Sequence, residues 1–158
     1  MSDQYLIFVT SCTSGENAGI TAFTLDTGSG RLEQINRYTD VDSPFYLALS
    51  PDRSRLYSTH EGDKPSVISF DIDRSSGLLS KINERSTEGT TPCYVDVDRT
   101  GKVLVFANYS SGSVGSFPIQ EDGSLGAMAS FVQHEGASKV NVDRQMGPHA
   151  HCSVISPS

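Results

Sequence analysis

Val67-Ile68-Ser69-Phe70-Asp71-Ile72-Asp73-Arg74-Ser75-Ser76-Gly77-Leu78-Leu79 decides the fold, because it is echoed on both sides of itself. Its Val67, Phe70, Ile72, Gly77 and Leu79 follow Ile20, Phe23, Leu25, Gly30 and Leu32 by about 47 positions. Phe70 and Ile72 return at the same offset as Phe117 and Ile119, and Gly77 and Leu79 as Gly123 and Leu125 after a one-residue deletion. A second track, offset by about 48, carries Pro44, Tyr46, Leu47, Leu49 and Leu56 to Pro92, Tyr94, Val95, Val97 and Leu104. Two tracks in the same order define one repeated unit.

Each unit holds four short extended segments: Tyr46 to Leu49, Arg55 to Ser58, Val67 to Ile72 and a weaker one at Leu79 to Ile82, with counterparts at Tyr94 to Val97, Val103 to Phe106, Val114 to Ile119 and Leu125 to Phe131. Turn residues separate them, as in Ser50-Pro51-Asp52-Arg53, Asp98-Arg99-Thr100-Gly101 and Glu121-Asp122-Gly123. No helical periodicity of useful length interrupts the pattern. Four strands at this period predict an all-β fold, a β-propeller of four-stranded antiparallel blades. A β-sandwich of about 14 strands is the alternative, but it does not require a fixed offset. Tyr5 to Val9 aligns with the second segment of a unit and His151 to Pro157 with the first, so the two ends of the chain fall within blades. Propellers use about four to eight blades and about three are present. The expectation is therefore one domain over residues 1–158, a partial propeller truncated in mid-blade at its C-terminal end.

Composition narrows the partners. The 158 residues carry 12 Lys and Arg against 19 Asp and Glu, a net charge of −7, which argues against nucleic acid or an anionic membrane as partner. Met1-Ser2-Asp3-Gln4 has no positive region, Tyr5 to Val9 is too short for a signal core, and no apolar run approaches the roughly 20 residues of a membrane span. These features predict a cytoplasmic protein. Cys12, Cys93 and Cys152 are odd in number and lack metal-ligand spacing, so they are expected as reduced, buried small hydrophobes.

Chemistry concentrates in Gly147-Pro148-His149-Ala150-His151-Cys152-Ser153-Val154-Ile155-Ser156-Pro157, read as a short strand closed by a Ser-Pro turn. In a strand, the i and i+2 spacing puts both imidazoles on one face. Such a pair is either a donor and acceptor site working near neutral pH or two half-buried strand histidines. No metal or other cofactor is expected: His-x-His offers two ligands where a stable site needs three or four, and His134 and Glu135 are the nearby additions. His60-Glu61 and Asn108-Tyr109 end matching second segments, as pocket residues or as turn caps. Ser110-Ser111-Gly112-Ser113 reads as a hairpin turn, with no Lys-Ser/Thr and no helix after it to make a phosphate loop.

Phe8-Val9-Thr10-Ser11-Cys12-Thr13-Ser14-Gly15, Ser43-Pro44-Phe45-Tyr46-Leu47-Ala48-Leu49-Ser50-Pro51-Asp52, Ala107-Asn108-Tyr109, Gly112-Ser113-Val114 and Gly147-Pro148-His149-Ala150-His151 together resemble the lactonase family of seven-bladed propellers, which includes one type of bacterial 6-phosphogluconolactonase and fungal carboxy-muconate lactonizing enzyme. The resemblance covers the whole chain but only about the first half of a family member. It implies a site at the mouth of the central channel with a histidine on an inner strand, placed here at His151 with His149 beside it, and further arginines and a glutamate from later blades. The implied activity is hydrolysis of a sugar lactone, 6-phosphogluconolactone in the oxidative pentose phosphate route, with a small-molecule substrate as partner.

That chemistry needs a base to activate water and donors for the developing oxyanion. His151 is the candidate base and His149 its orienting or donating neighbour. A phosphorylated substrate calls for a cation, for which Arg144 and Lys139 are at hand, with His60 and Asn108 as further substrate contacts. The competing functions are a non-catalytic propeller that binds a protein partner and a cycloisomerase acting on a carboxylated muconate.

Overall fold

A computed structural model of the protein describes residues 4–156. Eleven strands run in chain order among the described residues: β1 (Gln4–Ser11), β2 (Gly19–Asp26), β3 (Leu32–Tyr38), β4 (Leu47–Leu49), β5 (Arg55–His60), β6 (Ser66–Ile72), β7 (Leu79–Ser86), β8 (Pro92–Val97), β9 (Val103–Asn108), β10 (Ser113–Pro118) and β11 (Ser130–Gln133). They form a three-stranded sheet β1-β2-β3 and two four-stranded sheets, β4-β5-β6-β7 and β8-β9-β10-β11, all antiparallel between chain neighbours. This is the expected partial propeller, with the blade at the N-terminal end lacking an innermost strand among the described residues.

The repeat extends to the backbone. The sheets bulge between Ala22 and Phe23 and again between Ser69 and Phe70, the same step one unit later. A bulge bends a strand and raises its local twist. The turns repeat too: the Gly30 N–H donates to Asp26 O and the Gly77 N–H to Asp73 O, both at 2.8 Å. Gly77 has φ +68, and a Cβ there would lie 2.8 Å from the Cβ of Ala22, so the turn both needs the left-handed region and leaves no room for a side chain.

Blades hold together face to face, which explains why the middle strands are apolar on both sides. Successive residues of a strand point to opposite faces. Leu56, Ile68, Phe70 and Ile72 therefore join Ile20, Val41 and Leu79 in a core against the preceding blade. Tyr57 and Val67, on the other face, join Val95, Leu104, Phe106, Phe117 and Leu125 in a core against the following one. Full burial of each such side chain contributes about 1.5–3 kcal/mol. The polar atoms that cross these seams are satisfied: the Tyr57 hydroxyl and the Ser69 hydroxyl both donate to Gly123 O, at 3.2 and 2.7 Å, and the Asn83 side chain exchanges two hydrogen bonds with the Leu125 backbone. The outermost strands see water on one side, and all four residues of β11 are exposed.

Two expectations are corrected. Only Cys93 is buried, whereas Cys12 and Cys152 are exposed, because each sits where the chain leaves or skirts a blade. The segment 149–156 is not a strand: it lies along β8 without a sheet hydrogen bond. Its anchors are side chain to backbone instead, with the Ile155 N–H donating to Asp96 Oδ2 at 3.0 Å and the Cys93 thiol 3.5 Å from His151 O. The turn expected at Ser156-Pro157 ends at Pro157, which lies outside the described residues.

Candidate active site

Antiparallel order brings the turn after the second strand of a blade and the connection into the next innermost strand to the same face of the wheel. There three contacts tie the turns to the segments that follow them. The Ser43 N–H donates to Thr13 O at 2.9 Å, the Thr91 hydroxyl donates to Glu61 Oε1 at 2.8 Å, and His149 Nδ1 lies 3.0 Å from Tyr109 O. Thr13, Glu61 and Tyr109 follow one another by about 48 positions, as do Ser43 and Thr91. His149 arrives about ten residues later than that interval because the connection from β11 is longer. This extra length carries Arg144.

Tyr109 organises the third contact. Its ring stacks on His149 with centroids 4.6 Å apart and meets His151 edge-on at 5.4 Å. Its hydroxyl accepts from Arg144 Nη2 at 3.1 Å. The two histidines thus reach the same side of their segment, as the i and i+2 spacing requires, although no strand enforces it. The half-buried ring of Tyr109 supplies the common surface.

The two imidazoles differ in what they can do. His149 Nδ1 faces Tyr109 O and its Nε2 faces Arg144 O at 2.9 Å. A carbonyl only accepts, and a neutral imidazole carries one N–H where the imidazolium carries two. His149 is a clamp between the turn after β9 and the Arg144 loop, with neither nitrogen turned to a substrate. His151 is exposed, and neither of its ring nitrogens has a hydrogen-bond partner among the described residues.

A depression of about 310 Å³ opens beside the clamp, lined by Tyr109, Ser110, Asp143, Arg144 and His149. One Nη of Arg144 is engaged by Tyr109, which leaves the rest of the guanidinium directed by a loop that braces itself. In that loop the Gln145 N–H donates to Asn141 O at 2.8 Å, and the Ser138 hydroxyl and Asn141 N–H both donate to Gln145 Oε1. Lower on the inner strands, the rings of Tyr46 and Tyr94 pack at 4.3 Å. The hydrogen bond with Tyr46, then burial, then Cys152 push the Tyr94 hydroxyl upward.

Two expected substrate contacts are not brought to this place. Asn108 is fully buried, and its Nδ2 donates to Thr87 O at 3.2 Å and to Ser113 Oγ at 2.9 Å, so it braces the turn inside the blade and has no surface for a ligand. His60 accepts the Asp42 N–H at Nδ1 and lines a separate depression of about 420 Å³ with Gly15, Glu16 and residues 39–42. Gly62 covers its Nε2 so closely that a Cβ there would lie 2.4 Å away. Lys139 is exposed on the Arg144 loop and lines neither depression. Among the described residues, no three His, Cys, Asp or Glu side chains are grouped to hold a metal ion. Tyr109 is the residue that sequence reasoning undervalued; its signal was the shared register with Glu61 at the end of a second strand.

Two four-stranded antiparallel blades and a three-stranded one define the chain as part of a propeller. The chain belongs to the lactonase family of seven-bladed β-propellers, which matches residues 6–158. It is 36% identical over 98% of its length to the 6-phosphogluconolactonase of Bacillus subtilis (strain 168), covering 44% of that protein. It is 29% identical over 95% of its length to the 6-phosphogluconolactonase of Formosa agariphila, covering 43% of it. The solved structure of the periplasmic gluconolactonase of Pseudomonas aeruginosa superposes with a TM-score of 0.89 at 31% identity, over 98% of this chain and 45% of that one. The chain therefore spans less than half the length of the relatives it matches.

Proposed function

We propose that the protein carrying this chain hydrolyses a sugar δ-lactone, 6-phosphogluconolactone being the substrate that fits best, as a step in carbohydrate metabolism. On this reading the 158 residues are the N-terminal portion of a wheel whose remaining blades complete the site. The observation that carries it is His151, an exposed imidazole with no hydrogen bond among the described residues, packed like His149 against the ring of Tyr109, whose hydroxyl Arg144 holds. The names of the relatives point the same way.

His151 takes a proton from water as the water attacks the lactone carbonyl, and the proton passes to the ring oxygen as the C–O bond opens. The oxyanion formed on the former carbonyl needs preorganised donors, a role left to the later blades. His149 fixes the segment and orients its neighbour; with both nitrogens on backbone carbonyls it is a positioning residue. Arg144 faces the substrate's anionic end, where a guanidinium suits phosphate geometry. A cytoplasmic location fits three unpaired cysteines, and cell fractionation reads it directly, the Pseudomonas relative being described as periplasmic.

The test is His151→Gln in the full polypeptide, assayed on glucono-δ-lactone and its 6-phosphate above the spontaneous rate. Loss of general-base help lowers kcat by about 10²–10⁴-fold. Unchanged turnover removes His151 from the chemistry, and absence of any lactone hydrolysis in the wild type favours a protein-binding propeller. A muconate lactone assayed in parallel separates the cycloisomerase.

A further inference from the structure

The second and third contacts are linked by hydroxyls. Thr91 Oγ1 donates to Glu61 Oε1 at 2.8 Å and lies 2.7 Å from Ser110 Oγ. A threonine hydroxyl has one proton and a carboxylate only accepts, so with the Thr91 proton directed to Glu61 the Ser110 proton is directed to Thr91. The direction of the whole chain is thereby fixed: Ser110 to Thr91 to Glu61. Ser110 Oγ is left with its lone pairs as acceptors, and Ser110 lines the depression that Arg144 and His149 also line.

Thr91 carries a further mark. Its φ is +56, in the left-handed region that a β-branched residue rarely occupies. Strain of this kind persists only where surrounding structure imposes it and is concentrated at working sites. Here it holds Oγ1 between two partners from two different blades.

Resting on the lactonase reading, we infer that Glu61 and Thr91 orient Ser110 as a hydrogen-bond acceptor for a substrate hydroxyl, and that this relay selects polyhydroxylated lactones over plain ones. Arg144 presents donors across the same depression, and a sugar hydroxyl both donates and accepts. A hydroxyl between Ser110 and Arg144 satisfies both walls; an unsubstituted ring satisfies neither. Glu61 and Thr91 are positioning residues, and of the three relay members only Ser110 touches the substrate.

The full polypeptide, as wild type, Thr91→Val, Ser110→Ala and Thr91→Ser, is assayed on glucono-δ-lactone and on δ-valerolactone, which has the same ring and no hydroxyl. Valine keeps the β-branch at Thr91 and puts a methyl in place of the hydroxyl. The ratio of kcat/KM for the two lactones falls about 3- to 10-fold in Thr91→Val and Ser110→Ala, the size of one hydrogen bond, and Thr91→Ser restores it. An unchanged ratio in Thr91→Val overturns the relay. Gluconate binding, measured by calorimetry on the same proteins, separates this inference from the catalytic one. A Kd that rises by the same factor in Thr91→Val without any hydrolysis upholds the relay while the lactonase reading fails. A wild type that neither binds gluconate nor hydrolyses either lactone overturns both.

Discussion

A Cβ added to Gly112 would lie 2.2 Å from the carbonyl oxygen of Pro148. The turn between β9 and β10 and the segment that carries the histidines are therefore in backbone contact, and the contact exists because Gly112 has no side chain. Gly112 also has φ +65, and its carbonyl accepts the His134 N–H at 3.0 Å. Gly112→Ala meets both a strained backbone and a clash, so it lowers stability by about 1–3 kcal/mol. It also lifts the His149 segment off the Tyr109 ring. Urea unfolding reads the first effect, and loss of the aromatic ring-current shift on the imidazole proton signals of His149 reads the second.

Tyr109 makes two separable contributions, through its ring and through its hydroxyl. Tyr109→Phe keeps the surface under both imidazoles and loses the contact with Arg144. It therefore weakens binding of the phosphorylated lactone, seen in KM, by about 3- to 10-fold. Tyr109→Leu removes the flat ring and lets both histidines drift, which lowers kcat by about 10- to 100-fold, since misplacement by about 1 Å costs that much. Steady-state kinetics on the full polypeptide, with KM and kcat resolved, checks both. Equal effects of the two variants would leave the ring without a role.

Acid weakens the fold through its turns. Hydrogen bonds from the Ser50 and Ser54 hydroxyls and from the Ser54 N–H hold the Asp52 carboxyl down at about 2. Burial pushes the equivalent Asp98 up, but the Thr100 hydroxyl and the N–H groups of Val103, Thr100 and Lys102 outweigh it and hold that carboxyl at about 2 as well. Both values lie below that of an unfolded aspartate, roughly 3.9. The stability they contribute is complete above about pH 4 and is lost as pH falls towards 2. Urea midpoints measured across that interval fall with acidification, and Asp98→Asn flattens the slope.

The blades were legible because face-to-face packing imposes a rule on every middle strand. Leu56, Ile68 and Phe70 must be apolar towards one neighbour and Tyr57 and Val67 towards the other, and the turns must supply an aspartate and a glycine at fixed positions. A repeat of these constraints is visible without coordinates. The histidine segment was less so: alternation says which way His149 and His151 point if the backbone is extended, and is silent on whether any strand pairs with it. Polar residues at strand ends were ambiguous for a different reason. His60 and Asn108 occupy matching positions, yet one is half-buried beside a depression and the other is sealed inside its blade by Thr87 and Ser113. Thr91, Ser110 and Glu61 meet across two blades, and no spacing along the chain announces such a meeting.

Thr13 with Ser43, Glu61 with Thr91, and Tyr109 with His149 each tie the turn after a second strand to a later segment, the first through backbone alone and the other two with the help of side chains. Because each contact sits above the seam it closes, its occupants can be exchanged without repacking the hydrophobic layers beneath. Such a construction leaves the contact at each blade boundary free to vary while the strands keep their packing. Lineages of such proteins can diversify what they recognise by refitting single contacts, or lengthening one connection as at Arg144, while the wheel itself stays unaltered.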